Sequence, residues 1–252
     1  MKYTINYFSK FKYDYYLVIN VYNEGTRLHQ FLKLIENDKT YGVLIADSPS
    51  NDGSTNLEIL SKHNVDILLQ MNTRSDHTET LLAVSEFLIN KDFKGIIIVD
   101  GNGKDSPAFT NHFIDKLKIG YDYIQGSRYL TKGMAINIPI LRSILIRTVH
   151  APLMTIACRK KFTDTTNGFR AISSRFLKEN YLFIKSQNLK FYEFYFYTCF
   201  LACRKNYKTC EIPVKREYDK KILVTKITSL KLYWNMLKPP LFQALGIKYR
   251  LK

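Results

Sequence analysis

Gly95-Ile96-Ile97-Ile98-Val99-Asp100-Gly101-Asn102-Gly103-Lys104-Asp105-Ser106-Pro107 decides how this chain folds. An apolar run stops abruptly at an aspartate, and small polar residues follow. A fully buried parallel strand reads this way when it delivers an acid to the C-terminal edge of its sheet. Ligands of open α/β sheets bind at that edge. A carboxylate there, followed by glycines that let a backbone approach closely, suits a phosphate held through a metal ion.

The same pattern recurs outward from this stretch. Residues 15–21 (YYLVINV), 42–46 and 65–69 read as further buried strands. Between them one amphipathic helix presents Leu28, Phe31, Leu32 and Ile35, and another carries Leu81, Leu82, Val84 and Leu88. Such alternation builds right-handed βαβ units and a mostly parallel sheet flanked by helices. Three strands exit into acids or amides: Tyr22-Asn23-Glu24, then Asp47-Ser48-Pro49-Ser50-Asn51-Asp52-Gly53-Ser54, then Asp100-Gly101-Asn102. One acid after a strand is ordinarily a turn former or helix cap. Three on one edge predict a ligand crevice. Farther along, 121–128 reads as a strand, 138–154 and 188–203 as helices, and 208–214 as a short strand. Residues 230–238 (LKLYWNMLK) mix apolar, aromatic and basic side chains, either to lie in a bilayer interface or to dock on the protein's own core.

The 252 residues, 46% of them hydrophobic, suffice for one large domain or a domain with an appendage and argue against a disordered chain. Lys+Arg 38 against Asp+Glu 22 gives a net charge of +16, which favours a polyanionic partner unless it is a generic lysine bias. No signal peptide is read at the start. The weakly apolar stretch 134–157 contains Asn137, Arg142, Arg147 and His150, and falls short of a membrane span of about 18 apolar residues. Cys199 and Cys203 stand at helical spacing, while Cys158 and Cys210 stand alone; they read as buried thiols in a reducing compartment rather than a metal site. The expectation is a cytoplasmic protein, peripheral on the inner face of a membrane.

The order of motifs resembles the family-2 glycosyltransferases of GT-A fold, especially the dolichyl- or polyprenyl-phosphate sugar synthases. The likeness spans roughly residues 17–227. Val18-Ile19-Asn20-Val21-Tyr22-Asn23-Glu24 is similar to that family's opening V-I-P-x-Y-N-E, and the Asp47–Ser54 stretch to its D-D-G-S-x-D-G-S. Asp100-Gly101-Asn102-Gly103-Lys104 falls on D-x-D-x-Q, and Gly126-Ser127-Arg128-Tyr129 matches G-S-R-Y. Thr163-Asp164-Thr165-Thr166-Asn167-Gly168-Phe169-Arg170-Ala171 resembles D-x-T-x-G-F-R-A. The closing elements are Glu211-Ile212-Pro213-Val214, Arg216, Tyr218 and Thr225-Lys226-Ile227.

The resemblance implies a GT-A (Rossmann-like) domain at 1–228, a basic amphipathic segment at 229–252, and an inverting transfer from a nucleotide-diphosphate sugar. It implies Tyr22, Glu24 and Asp47 around the nucleoside, and Asp100 and Asn102 on a divalent cation that bridges the diphosphate. Asp100 and Arg128 would be catalytic. Arg128, Arg142, Arg170, Arg216 and Lys226 are the candidate contacts to phosphate or acceptor. A polyprenyl phosphate acceptor attacks as an anion without a base. A sugar hydroxyl needs a carboxylate, for which Glu193 and Asp164 are the candidates.

Four positions depart from the pattern: Asn20 for proline, Ser48 for the second aspartate, Asn102 for the second acid of the metal motif, and Lys104 for glutamine. Losing an acid weakens a Mg2+ or Mn2+ site, so a weak metal requirement is expected. An anionic membrane surface is the expected partner, nucleic acid is not. The rival readings are a soluble relative acting on a surface glycan, a nucleotidyltransferase, and a degenerate basic membrane- or nucleic-acid-binding protein. Residues 22–27 lack the glycine- and lysine-rich loop of nucleotidyltransferases.

Overall fold

The computed structural model of the chain describes residues 2–10, 13–38, 40–219 and 230–247. Its first half runs β1 (Tyr3–Tyr7), β2 (Tyr15–Val21), α1 (Thr26–Ile35), β3 (Gly42–Asp47), α2 (Leu57–Ser61), β4 (Ile67–Met71), α3 (His77–Leu88), β5 (Gly95–Asp100) and α4 (Thr110–Lys118). The second half runs β6 (Tyr123–Ser127), β7 (Met134–Ile136), α5 (Ile140–Leu145), α6 (Ala151–Cys158), β8 (Arg170–Ser173), α7 (Ser174–Ser186), α8 (Glu193–Arg204), β9 (Thr209–Pro213), β10 (Lys215–Glu217) and α9 (Leu230–Ala244).

The main sheet has the order β1-β4-β3-β2-β5-β8-β6-β9, with β7 and β10 forming a small parallel pair beside it. Every residue of the central β2 is buried. Its alternate side chains feed two hydrophobic layers, Tyr15, Leu17 and Ile19 toward the side with α1 and α4, Tyr16 and Val18 toward the side with α3, α7 and α8. Burial on both faces is what an unbroken apolar strand requires. The pairing sets Asn20 opposite Asp100 and Val21 opposite Asp47, so the ends of β2, β3 and β5 lie level at one edge.

The sheet is mostly parallel as expected, with two exceptions that the sequence pattern does not announce. β1 runs antiparallel to β4 at the edge. β8 is wedged antiparallel between β5 and β6, with Arg170 opposite both Ile98 and Gln125.

Residues 140–158 correct a second expectation. α5 and α6 join through a π turn, Ile146–His150, into one helix that by length and composition alone is apolar enough to cross a membrane. Asn137 falls before this helix begins, leaving Arg142 and Arg147 as its cations. The π turn precedes Pro152, whose missing N–H and bulky ring break regular helical bonding. Ala151, Met154, Ala157 and Cys158 are buried, whereas Ile140, Leu141 and Ile144 face outward. α9 packs on α6 and α8, so the described part of 229–252 docks on the core.

Candidate active site

A cavity of about 520 Å³ opens where β2, β4 and β5 end. Tyr22 and Glu24 enter it from the exit of β2, Arg74, Asp76 and His77 from the exit of β4 and the start of α3, and Asp100, Asn102 and Lys104 from the exit of β5. α8 supplies Tyr195, α5 supplies Arg142, and the chain around β10 supplies Arg216 and Tyr218.

Asp100 sits at the centre. Its Oδ2 accepts from Arg216 at 3.2 Å and from the Asn102 amide at 3.3 Å, and its Oδ1 lies 3.6 Å from His77 Nε2. Burial pushes this carboxyl up, but the imidazole and guanidinium outweigh it and hold it far below the usual carboxylate range. Gly168 makes the geometry possible: a Cβ there would stand 2.9 Å from Asp100 Oδ1. His77 is fixed in turn by Tyr195, whose hydroxyl lies 3.1 Å from Nε2 and whose ring meets it edge-on.

Arg216 serves two acids. It bonds Asp100 on one side and the buried Asp105 on the other. Burial, with repulsion from Asp100, pushes Asp105 up to about 6 despite that cation. Lys104 and Arg142 both approach the Tyr218 ring, at 5.2 Å and 5.6 Å. Burial and the two nearby guanidiniums bring the Lys104 amine down to about 8. Arg74 lies 4.9 Å over the Tyr22 ring, closing the side where a base would stack.

The structure thus brings Tyr22, Glu24, Asp100, Asn102, Arg128, Arg142 and Arg216 to one cavity. Arg128 reaches it only with its edge, because the guanidinium is spent on Asp164 at 2.6 and 2.9 Å, on Tyr218 and on Thr166. Four other candidates are placed elsewhere. Asp47 is fully buried behind the wall, accepting from Ser50, Thr55 and Gln70, and so shapes the loop after β3 rather than lining the cavity. Arg170 is buried in the core; it donates to the carbonyls of Gly168, Asn167 and Tyr195 and to the Tyr123 hydroxyl, with its guanidinium 3.6 Å from the Tyr195 ring centre. It is a structural cation, not a phosphate contact. Asp164 is sealed beneath Arg128, and Glu193 receives the Lys190 amide outside the cavity wall, so neither stands where a base would. Lys226 lies outside the described residues.

Sequence reasoning missed Arg74, Asp76, His77 and Tyr195. The first three follow β4, in Asn72-Thr73-Arg74-Ser75-Asp76-His77, a fourth polar strand exit on the same edge. The rule that found the other three exits reaches this one too. Asp76 caps α3 through Glu79 and holds the Phe191 amide with its other oxygen. Tyr195 carries no signal of its own within an aromatic helix.

No protein-family model matches the chain. An uncharacterized protein of Methanocaldococcus jannaschii is 24% identical over 236 residues, covering 92% of this chain and 94% of that one. Among solved structures, glucosyl-3-phosphoglycerate synthase from Mycobacterium tuberculosis in complex with Mn2+, uridine-diphosphate and glucosyl-3-phosphoglycerate superposes with a TM-score of 0.63 at 12% identity, over 93% of this chain and 81% of that one. The same enzyme with Mn2+, uridine-diphosphate-glucose and glycerol 3-phosphate gives 0.62 at 12% identity, over 93% of this chain and 81% of its own. The architecture is therefore the GT-A fold of these glycosyltransferases.

Proposed function

We propose that this chain is an inverting glycosyltransferase of family-2 type that moves a sugar from a nucleotide-diphosphate sugar to an acceptor carrying its own phosphate, a polyprenyl phosphate at a membrane surface. The observation that carries this reading is the charge inventory of the cavity. Its carboxylates are Glu24, Asp76 and Asp100, and each is committed: Glu24 to Arg27, Asp76 to two backbone amides, Asp100 to Arg216 and His77. Among the described residues the cavity therefore offers no uncommitted carboxylate to take a proton from a sugar hydroxyl. A phosphate acceptor arrives deprotonated and needs none. Four cations, Arg74, Lys104, Arg142 and Arg216, face the same space, enough to hold a diphosphate and a second anion.

A divalent cation fits the corner at Asp100. Oδ1 faces the cavity with only the longer contact to His77, Gly168 leaves room beside it, and Asn102 supplies an amide oxygen once its contact with the Lys104 amide is released. One carboxylate and one amide make a weakly charged set, consistent with a weak metal requirement. When bound, Mg2+ or Mn2+ offsets charge on the departing nucleotide diphosphate. Around it, Arg74 moves off the Tyr22 ring to let the base stack there, and Lys104 and Arg216 steady the diphosphate. Arg142, at the mouth, orients the acceptor phosphate for attack on the sugar's far face.

The membrane part rests on α5. Ile140, Leu141 and Ile144 are 79%, 69% and 50% exposed on the helix whose Arg142 enters the cavity. Apolar side chains beside cations are how a surface helix seats in anionic lipid. The test is release of nucleotide diphosphate from a panel of sugar donors with polyprenyl phosphate, with phosphoglycerate, or with neither, using Asp100→Ala as control. Polyprenyl-dependent release lost in the control supports the reading; release driven only by phosphoglycerate moves the acceptor to a soluble phosphate. Absence of release with every donor refutes the enzyme.

A further inference from the structure

Away from the cavity, three of the four cysteines converge. Cys158 ends α6, while Cys199 and Cys203 lie one turn apart on α8, so helix packing rather than sequence proximity brings them together. All three sulfur atoms lie within 4.8 Å of one another, and Cys158 Sγ and Cys199 Sγ are 3.9 Å apart. With metal–sulfur bonds of about 2.3 Å, two thiolates on one ion stand ~3.8 Å apart in tetrahedral and ~4.0 Å apart in trigonal geometry. One pair already meets that spacing, and the widest separation closes with side-chain shifts of about 1 Å.

Access and charge agree. Cys158 and Cys199 are buried, whereas Cys203 is partly open and gives a route in from solvent. Thr209 Oγ1 lies 3.7 Å from Cys203 Sγ and 2.8 Å from Lys160 Nζ, which puts a cation one hydroxyl away from the cluster.

We propose that Cys158, Cys199 and Cys203 form a three-thiolate zinc site, with a water at the open side of Cys203 as fourth ligand. Binding sends the thiol protons to solvent. The ion ties the end of α6 to α8. α6 continues the helix that carries Arg142, and α8 carries Tyr195, so the site joins two walls of the cavity without touching its chemistry.

The experiment takes the full chain, reduced and metal-free, and titrates it with Co2+ as a spectroscopic probe, then with Zn2+ against a chromophoric chelator. The expected result is saturation at one ion per chain with a sulfur-to-cobalt charge-transfer band, and a higher Tm with Zn2+. Cys199→Ser and Cys203→Ser each weaken binding about tenfold or more. Cys210→Ser and Asp100→Ala leave the band unchanged, which separates this site from the cavity. Cys203→Ser disturbs folding least of the three, since its side chain is partly exposed. The proposal is overturned if folded wild-type protein with reduced thiols shows no such band, or if the band survives in the Cys158→Ser/Cys199→Ser/Cys203→Ser variant.

Discussion

Replacing Arg216 with glutamine removes a cation shared by two carboxylates, and the cost should depend on pH. Asp105 is buried and faces Arg216 as its cation, while Asp100 keeps His77 and an opening to solvent. Stranding one member of a buried ion pair costs about 3–5 kcal/mol. In the wild type, burial pushes Asp105 from its ordinary 3.8 up to about 6, so the native chain holds a proton that the unfolded chain releases. That group's contribution to stability therefore falls as pH rises from 3.8 to about 6. Without Arg216 the native carboxyl rises further and the falling window extends upward. Each pH unit of added window costs about 1.4 kcal/mol. At about pH 5 Asp105 is mostly protonated in both proteins and the variant should be only mildly destabilised, whereas by about pH 8 the difference should reach roughly 3 kcal/mol. Urea titrations followed by circular dichroism across this range measure it, and Asp105→Asn in the Arg216→Gln background should recover most of the loss at the higher pH. A destabilisation that is constant with pH, or effects of the two substitutions that simply add, would refute the shared-cation account.

Three further outcomes follow from the geometry. Gly168→Ala puts a Cβ 2.9 Å from Asp100 Oδ1, so nucleotide diphosphate affinity measured by calorimetry should drop about tenfold or more while the fold is retained. Arg170→Gln strips donors from several buried carbonyls and should cost about 3 kcal/mol in urea titrations. Donor affinity of the folded variant should be unchanged; a selective loss of affinity would return Arg170 to the phosphate contacts. Gln at Ile140, Leu141 and Ile144 together should abolish sedimentation with anionic liposomes and leave turnover of a short, water-soluble prenyl phosphate intact.

The central sheet was legible because β2, β3 and β5 announce themselves as apolar runs with polar exits, and periodicity of that kind is a local property. Asp100 was legible for the same reason. What periodicity cannot carry is depth. Asp47 and Arg170 sit in motifs as convincing as that of Asp100, yet one is turned into its own loop and the other into the core. Their neighbours decide this: Ser50, Thr55 and Gln70 satisfy the first, and a ring of carbonyls the second. β8 was hidden because its four residues are shorter than any usable pattern and owe their strand geometry to β5 and β6 on either side. The cysteine cluster was hidden because 41 residues separate Cys158 from Cys199 and only helix packing closes the gap.

The wedged position of β8 also sets a clock on synthesis. β5 is complete at Asp100, but its second neighbour begins only at Arg170, roughly 70 residues later. At about 5–20 residues per second a ribosome takes roughly 4–14 s to supply it. Through that interval the Ile96–Val99 run presents an unpaired apolar edge, and β6 waits for the same partner. The nascent chain is thus most exposed to misassociation in the middle of its translation. Slow codons or a chaperone contact between residues 100 and 173 would act on yield far more than the same intervention after β9.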